Sequence, residues 1–419
     1  MKAYEQPSTQ LKASPFEPTW LEKKLLNTFE KKLNAQCGTL NLKLPSGYCC
    51  LFGSNKPEAD IKLNNLRPLL RLFFGGINGW SESYLAGEWD SSNLTALVKW
   101  ALAYEDALTD LSKARIVIST LHNIYHWTRD NTPAGSRKNI SAHYDLGNDF
   151  YKHWLDKSMT YSSALYSQPD ESLYTAQRGK NARIIELLKA KPGEHVVEIG
   201  CGWGGFAAQA SQEHDLRIHG ITLSKEQLNW AQQRIKNDGL SDKVHLSLTD
   251  YRDLHTQYDA VVSIEMFEAV GEAHWDTYFH TLKRVLKPGG HAVLQVITIE
   301  DERFHHYRKQ ADFIQRYIFP GGMLPSISVF KEKLNEHGFT LKEHQLFGKD
   351  YARTLREWCN RFEQSWGNIK QQGFDENFYR LWRYYMAYCE GGFEQGSIDV
   401  GLYLLAHTDQ DSGSDRVST

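Results

Sequence analysis

No run of eighteen apolar residues occurs anywhere in the 419 residues of the chain, so no stretch has the length of a membrane-crossing helix. The opening Met1-Lys2-Ala3-Tyr4-Glu5 leads into polar sequence without the apolar core of a signal peptide, and the expected location is the cytosol. Cysteine is scarce. Cys37, Cys49, Cys50, Cys201, Cys359 and Cys389 show neither C-x-x-C spacing nor a histidine pattern suited to zinc, so free thiols are expected and no metal centre. His122 and His126 share a helical face, but they have no glutamate between them and no third ligand in sight. An excess of charge is missing as well: 48 Lys and Arg stand against 51 Asp and Glu, a net charge of -3 that gives no case for nucleic acid. The balance is uneven, with 17 basic against 13 acidic residues in 1–140 and 31 against 38 in the rest. A basic front part could rest on anionic lipid headgroups, although a surplus this small is more often without meaning.

What the chain concentrates is glycine behind a short apolar strand, in Val196-Val197-Glu198-Ile199-Gly200-Cys201-Gly202-Trp203-Gly204-Gly205-Phe206. Val196 to Ile199 suits a strand buried in a parallel sheet, and Gly200, Gly202 and Gly204 let the backbone turn tightly and leave room for a ligand. The spacing E-x-G-x-G-x-G differs from the dinucleotide fingerprint, and Glu198 stands before the glycines, where it can hold an ammonium group or the loop itself. The reading is a site for S-adenosylmethionine, with another nucleotide or a plain structural turn as the alternatives. Further strands are expected at 217–222, 244–248, 258–264 and 291–299, the last after a helix ending at Lys287-Pro288-Gly289-Gly290. Ser224 should cap the helix after the second strand, with Gln227 as its capping-box partner, which puts Thr222, Leu223 and Gln227 at the ligand edge. Asp250 could accept from an adenine amino group and Tyr251 cover the base; the alternative is Asp250 as a helix cap. Residues 180–300 therefore read as strand-helix units of a parallel α/β sandwich, whose ligands collect beyond the carboxyl ends of the strands.

Around this centre, 1–20 reads as a loose proline-containing arm, 21–130 as a small α+β domain and 131–140 as a polar linker. The small domain is expected to hold an amphipathic helix over 19–33 and a hairpin about Pro45-Ser46-Gly47. Its glycine- and aromatic-rich run from Gly75 to Asp90 is either a packed surface turn or a contact with substrate or the catalytic domain. The enzyme domain follows as 141–408, with a polar tail at 409–419. Residues 141–151 and 155–166 suit a lid over the cofactor, with Tyr161 and Ser162 against it, while His143 is equally well a structural histidine. After the fifth strand, Tyr317, Phe319 and Gly321 belong to an aromatic, apolar wall, which makes the expected substrate greasy. Tyr384, Tyr385 and Tyr388 on a later helix continue that theme or form an ordinary aromatic core.

The segments H-Y-D-L-G-N-D-F-Y (143–151), M-T-Y-S-S-A (159–164), V-V-E-I-G-C-G-W-G-G (196–205), G-I-T-L-S-K-E-Q (220–227), E-M-F-E-A-V-G (265–271), R-Y-I-F-P-G-G-M-L-P-S (316–326) and Y-A-R-T-L (351–355) resemble the cyclopropane fatty acyl phospholipid synthases and their mycolic-acid relatives. The resemblance spans about residues 140–400. It implies an α/β fold, a Rossmann-like seven-stranded methyltransferase sheet with a small N-terminal α+β domain. It also implies S-adenosylmethionine as methyl donor, an unsaturated acyl chain of a phospholipid as substrate, and transient peripheral contact at the inner face of the membrane. A second copy of the chain, as a homodimer, is the remaining partner expectation. Family members hold a bicarbonate ion, whose glutamate corresponds to Glu268, its tyrosine to Tyr351 and its backbone contact to Ile297. Ser163 stands where many bacterial members have cysteine, and Gln295 where they have histidine; plant members also carry glutamine there, and both side chains can hydrogen-bond an oxyanion.

A sulfonium makes its methyl carbon electron-poor, so a cis double bond can attack it without prior deprotonation. Ring closure then needs a base beside the added methyl group, a role the resemblance implies for Glu268 acting through bicarbonate or water, with Tyr351 orienting the ion. Faces of Tyr317, Phe319 or Tyr385 within roughly 6 Å could stabilise the cation. A base reaching the neighbouring carbon would give a methyl- or methylene-branched chain instead. A lapsed lipid-binding module is the rival from outside enzymology.

Overall fold

A computed structural model describes residues 16–33, 38–53, 58–105 and 146–408. The linker at 131–140, His122, His126, His143, Cys37, most of the arm and the polar tail lie outside these residues. The chain divides into two compact units, 1–123 with 373–395, and 124–372 with 396–419.

The second unit is built on a seven-stranded sheet. Its strands are β5 (His195–Ile199), β6 (Arg217–Thr222), β7 (Val244–Leu248), β8 (Tyr258–Ile264), β9 (Leu286–Ile299), β10 (Phe339–Leu346) and β11 (Ile398–His407), in the order β10-β11-β9-β8-β5-β6-β7. β5 to β9 are parallel, and β11 runs antiparallel between β9 and β10. β5 is buried from Val196 to Ile199, as its unbroken apolar run requires of a central parallel strand covered on both faces. The covering helices show why they sit there. In Trp275–Val285 the residues Trp275, Tyr278, Phe279, Leu282 and Val285 recur at helical spacing and are all buried, packing with Phe267 and Phe330 against Val261 and Leu294. In Leu173–Leu188 the inward stripe reads Leu173, Ala176, Gln177, Lys180, Asn181 and Ile184, so it carries three polar side chains into the interior.

Two local expectations change. The helix before β9 ends at Val285 and the strand begins at Leu286, because the Lys287-Pro288-Gly289-Gly290 segment runs extended into the sheet. Ser224 caps Lys225–Asn237 by accepting from the Gln227 N–H at 3.2 Å, but the Gln227 side chain accepts from the Thr222 hydroxyl at 2.9 Å. The Ser224 N–H donates to that same hydroxyl oxygen at 3.1 Å, so the reciprocal box is replaced by a three-residue relay.

The first unit holds a four-stranded sheet in the order β2-β1-β3-β4, from Leu40–Lys43 (β1), Cys49–Phe52 (β2), Ala59–Leu63 (β3) and Trp89–Asp90 (β4). β1 and β2 form the expected hairpin, with Gly47 at φ 88° in its turn. The run from Gly75 to Asp90 is not the expected surface turn: it completes helix Arg67–Leu85 past a kink at Gly76 and leads into β4, where the Trp80 and Trp89 rings stack at 4.4 Å and the Trp89 Nε1–H donates to Trp80 O at 3.0 Å. Helix Glu376–Gln395 belongs to this unit and packs on Leu94–Ala103. The pattern of its apolar face is satisfied by either unit, so only the three-dimensional contacts assign it.

Candidate active site

Strand order reverses between β5 and β8, and the loop that leaves β5 enters the crevice this reversal opens. Gly200, Gly202 and Gly204 have φ of 86°, 50° and 78°, the left-handed region that side chains disfavour. A Cβ on Gly200 would lie 3.0 Å from Met266 Cγ, whereas one on Gly202 would project into open space. Gly204 caps helix Gly205–His214.

The crevice is a cavity lined by nine of the residues expected at the cofactor: Tyr161, Ser162, Glu198, Gly200, Gly202, Thr222, Leu223, Gln227 and Tyr251. Gly204 sits behind the loop as the helix cap, and Asp250 is buried between Thr249 and Tyr251, which line the cavity. Asp250 caps the short turn at Tyr251–Asp253 by accepting from the Arg252 N–H, and its carboxylate pairs with the Arg252 guanidinium at 2.7 Å. Glu198 is buried, its Oε2 has no hydrogen-bond partner among the described residues, and burial pushes its carboxyl well above the usual range against the opposing pull of Lys180. An unpartnered carboxylate oxygen beside a glycine cradle fits the ammonium and main chain of S-adenosylmethionine, and Tyr251 offers a ring face to the base.

Two residues that sequence reasoning passed over lie in the same cavity, Lys180 and Glu265. Lys180 is fully buried, donates from Nζ to Ser162 Oγ at 2.8 Å, and is pushed down to about 8 by burial, with Glu265, Glu198 and Asp156 pulling the other way. Its signal in the sequence was a lysine at a core-facing position of an otherwise regular helical stripe. Glu265 follows the carboxyl end of β8 at φ 49°. Of the four non-glycine residues with positive φ among the described residues, Lys189 and Asp215 are helix C-caps, while Met159 and Glu265 line this cavity.

The groups expected around bicarbonate converge on Glu265. Its Oε1 accepts from the Ser163 N–H at 2.8 Å and from Gln295 Nε2 at 2.7 Å, and its Oε2 accepts from the Tyr351 hydroxyl at 2.6 Å. Ser163 thus contributes its backbone; its hydroxyl donates to Ala164 O. The Ile297 N–H donates to Glu268 Oε1, and Glu268 Oε2 has no partner among the described residues. Glu268 is absent from the cavity wall, and burial, reinforced by the neighbouring Glu265 charge, pushes its carboxyl up to about 8. With their donors engaged by a side-chain carboxylate, these residues do not fit a bicarbonate ion as its ligands.

The expected substrate wall is divided. Phe319 approaches Tyr161, ring centroids 6.5 Å apart, while Tyr317 lies tilted against Phe313 at 5.3 Å and is exposed. Gly321 forms a turn at φ 80° away from the cavity. Tyr385 is in the helix of the first unit, edge-on to Trp382, where it serves an aromatic core. Rings that do surround Tyr161 are Trp154 and Trp358 at 5.3 Å and Tyr151 at 5.6 Å.

The sequence model described as mycolic acid cyclopropane synthetase matches residues 132–402. Tuberculostearic acid methyltransferase UfaA1 of Mycobacterium tuberculosis is 38% identical over 79% of this chain and 79% of its own length. The cyclopropane-fatty-acyl-phospholipid synthase of Escherichia coli K12 is 36% identical over 82% of this chain and 86% of its own length. Among solved structures, mycolic acid cyclopropane synthase CmaA1 complexed with SAH and CTAB superposes with a TM-score of 0.61 at 32% identity, covering 64% of this chain and 97% of that one. With the glycine cradle and strand order above, these matches make the chain a member of the mycolic acid cyclopropane synthetase family and an S-adenosylmethionine-dependent methyltransferase.

Proposed function

We propose that this enzyme transfers the methyl carbon of S-adenosylmethionine to the cis double bond of an unsaturated acyl chain in a phospholipid and closes a cyclopropane ring. When bound, the donor supplies an electrophilic methyl carbon. Glu198 and the backbone of Gly200 and Gly202 would hold it, with Tyr251 against the base. The observation that carries the reading is what borders the donor cavity: Tyr161, backed by Tyr151, Trp154 and Trp358, is an apolar, aromatic surround. Such a surround suits a hydrocarbon tail, and ring faces within about 6 Å of a carbocation stabilise it by about 0.5–2 kcal/mol. The likeness to the Escherichia coli enzyme named for fatty-acyl phospholipids supports the same substrate class.

Among the described residues no helix is long and apolar enough to cross a membrane. In the first unit, helix Arg67–Leu85 exposes Leu70, Phe73, Phe74 and, past a kink at Gly76, Ile77, each more than half accessible. A cluster of this kind beside Arg67 supports peripheral contact with a bilayer, from which the substrate would be drawn. The test is incubation of the purified protein with methyl-labelled donor and vesicles of mixed unsaturated phospholipids. Label in acyl chains together with high-field ring protons is expected; no label in any acyl chain would overturn the assignment. The 38% identity to a protein named tuberculostearic acid methyltransferase favours a second reading, a branched chain, which would carry the label without ring protons.

A further inference from the structure

We propose that the Glu265 carboxylate is the proton acceptor for ring closure, a base built into the chain at the position expected for a bicarbonate ion. The inference rests on the methyl transfer to an alkene proposed above. A carboxylate has about four lone-pair sites for hydrogen bonds. Three are taken, by the Ser163 N–H, by Gln295 Nε2 and by the Tyr351 hydroxyl. The fourth, on Oε2, is left for the cavity that Glu265 itself lines. The acceptor is also held in place through its backbone, because the Glu265 N–H donates to Gln295 O at 2.9 Å while the Gln295 side chain donates back to Oε1.

The left-handed φ of 49° aims the side chain at these donors, and β-carbon strain of that kind is retained where the surroundings fix it. The two glutamates differ in their partners. Burial raises both carboxyls; at Glu265 the Tyr351 hydroxyl, the Ser163 N–H, Lys180 and Gln295 all pull the other way, whereas Glu268, pushed up to about 8 by burial and the Glu265 charge, has only backbone donors against that rise. Glu265 thus presents to the cavity a carboxylate held by three donors, while Glu268 accepts from the Ile297 N–H outside the cavity wall.

Once the methyl carbon is bonded to one alkene carbon, the other is cationic. A C–H bond of the added methyl group breaks, its electron pair forms the bond to the cationic carbon, and the proton passes to Glu265 Oε2, leaving a neutral three-membered ring and a carboxylic acid. The acid then returns its proton to water.

The test uses Glu265→Gln and Glu265→Gly, with labelled turnover on vesicles, calorimetric binding of S-adenosylhomocysteine, and carbon-13 bicarbonate binding followed by nuclear resonance. Glycine adopts positive φ freely, so Glu265→Gly opens a carboxylate-sized space facing three donors without backbone strain. Loss of a general base lowers turnover by about 100-fold or more, and both variants should show that loss with cofactor-product binding within about threefold of wild type. Added bicarbonate or formate should restore Glu265→Gly and not Glu265→Gln. Wild type should bind no labelled bicarbonate and keep its rate in buffer freed of carbon dioxide, while Glu265→Gly binds it. Bicarbonate bound by wild type, a wild-type rate that depends on bicarbonate, or Glu265→Gln active near the wild-type rate would each overturn the proposal. If wild type methylates no lipid, the acyl-chain assignment fails, and with it the base role, even where the bicarbonate arm upholds the carboxylate's place.

Discussion

The neutral Glu268 carboxyl has a thermodynamic consequence that needs no substrate to observe. Its Oε1 accepts from the Ile297 N–H, its Oε2 has no partner, and burial followed by the Glu265 charge raises its pKa from 4.5 to about 8. A carboxyl raised on folding stabilises the native state fully below its unfolded value, and that contribution is lost as the pH climbs through the folded value. Between 4.5 and about 8 the loss has a ceiling of about 5 kcal/mol, at about 1.4 kcal/mol for each pH unit. Glu268→Gln replaces the acid with an amide that is neutral at every pH and can still accept from Ile297. Relative to wild type the variant should gain about 4 kcal/mol between pH 5 and pH 8.5. Urea unfolding at the two pH values measures this, since the midpoint shift multiplied by the urea slope gives the free-energy difference. Parallel pH profiles for wild type and variant would refute the burial of a neutral acid at this position.

Three other outcomes follow from the same geometry. Glu198→Gln removes the charge of the unpartnered carboxylate at the donor cradle, and S-adenosylmethionine should bind about 10- to 100-fold more weakly, matching a charge-assisted hydrogen bond of about 1.5–3 kcal/mol; unchanged calorimetric affinity would remove Glu198 from the cofactor site. Burial holds Glu265 above 4.5 and the Tyr351 hydroxyl lowers it, so turnover should fall as the pH drops through that raised value, and Tyr351→Phe should move the acid limb to higher pH. A limb that stays in place would detach Tyr351 from the base. Paired Phe73→Glu and Phe74→Glu changes should abolish cosedimentation with anionic vesicles while leaving donor affinity intact, and vesicle binding at the wild-type level would move the membrane face elsewhere.

The donor site was legible because its requirements are local. Three glycines at positive φ, an apolar strand before them and an acidic residue between follow one another in the chain, and the nearby strands reveal themselves by apolar runs. The base was not legible in the same way. Glu265 and Glu268 are three residues apart in E-M-F-E, and which of them faces the cavity depends on a left-handed residue followed by a tight turn at Phe267–Ala269. Ser163 acts through its N–H, so its side-chain identity gave no clue to its contact. Lys180 was hidden for the opposite reason: a lysine on a helix reads as solvated until the sheet closes over it. Asp250 and Tyr385 have structural partners that the sequence did not single out, a turn cap with Arg252 in one case and a ring contact with Trp382 in the other.

Deuterium bookkeeping tests the chemistry most directly. With a donor whose transferred methyl is fully deuterated, acting on unsaturated phospholipid vesicles, abstraction of a deuteron from the added methyl group leaves two deuterium atoms in a ring. The account predicts that product for wild type and its loss in Glu265→Gln. An acyl chain retaining all three deuterium atoms, or no deuterium in any lipid, would contradict it.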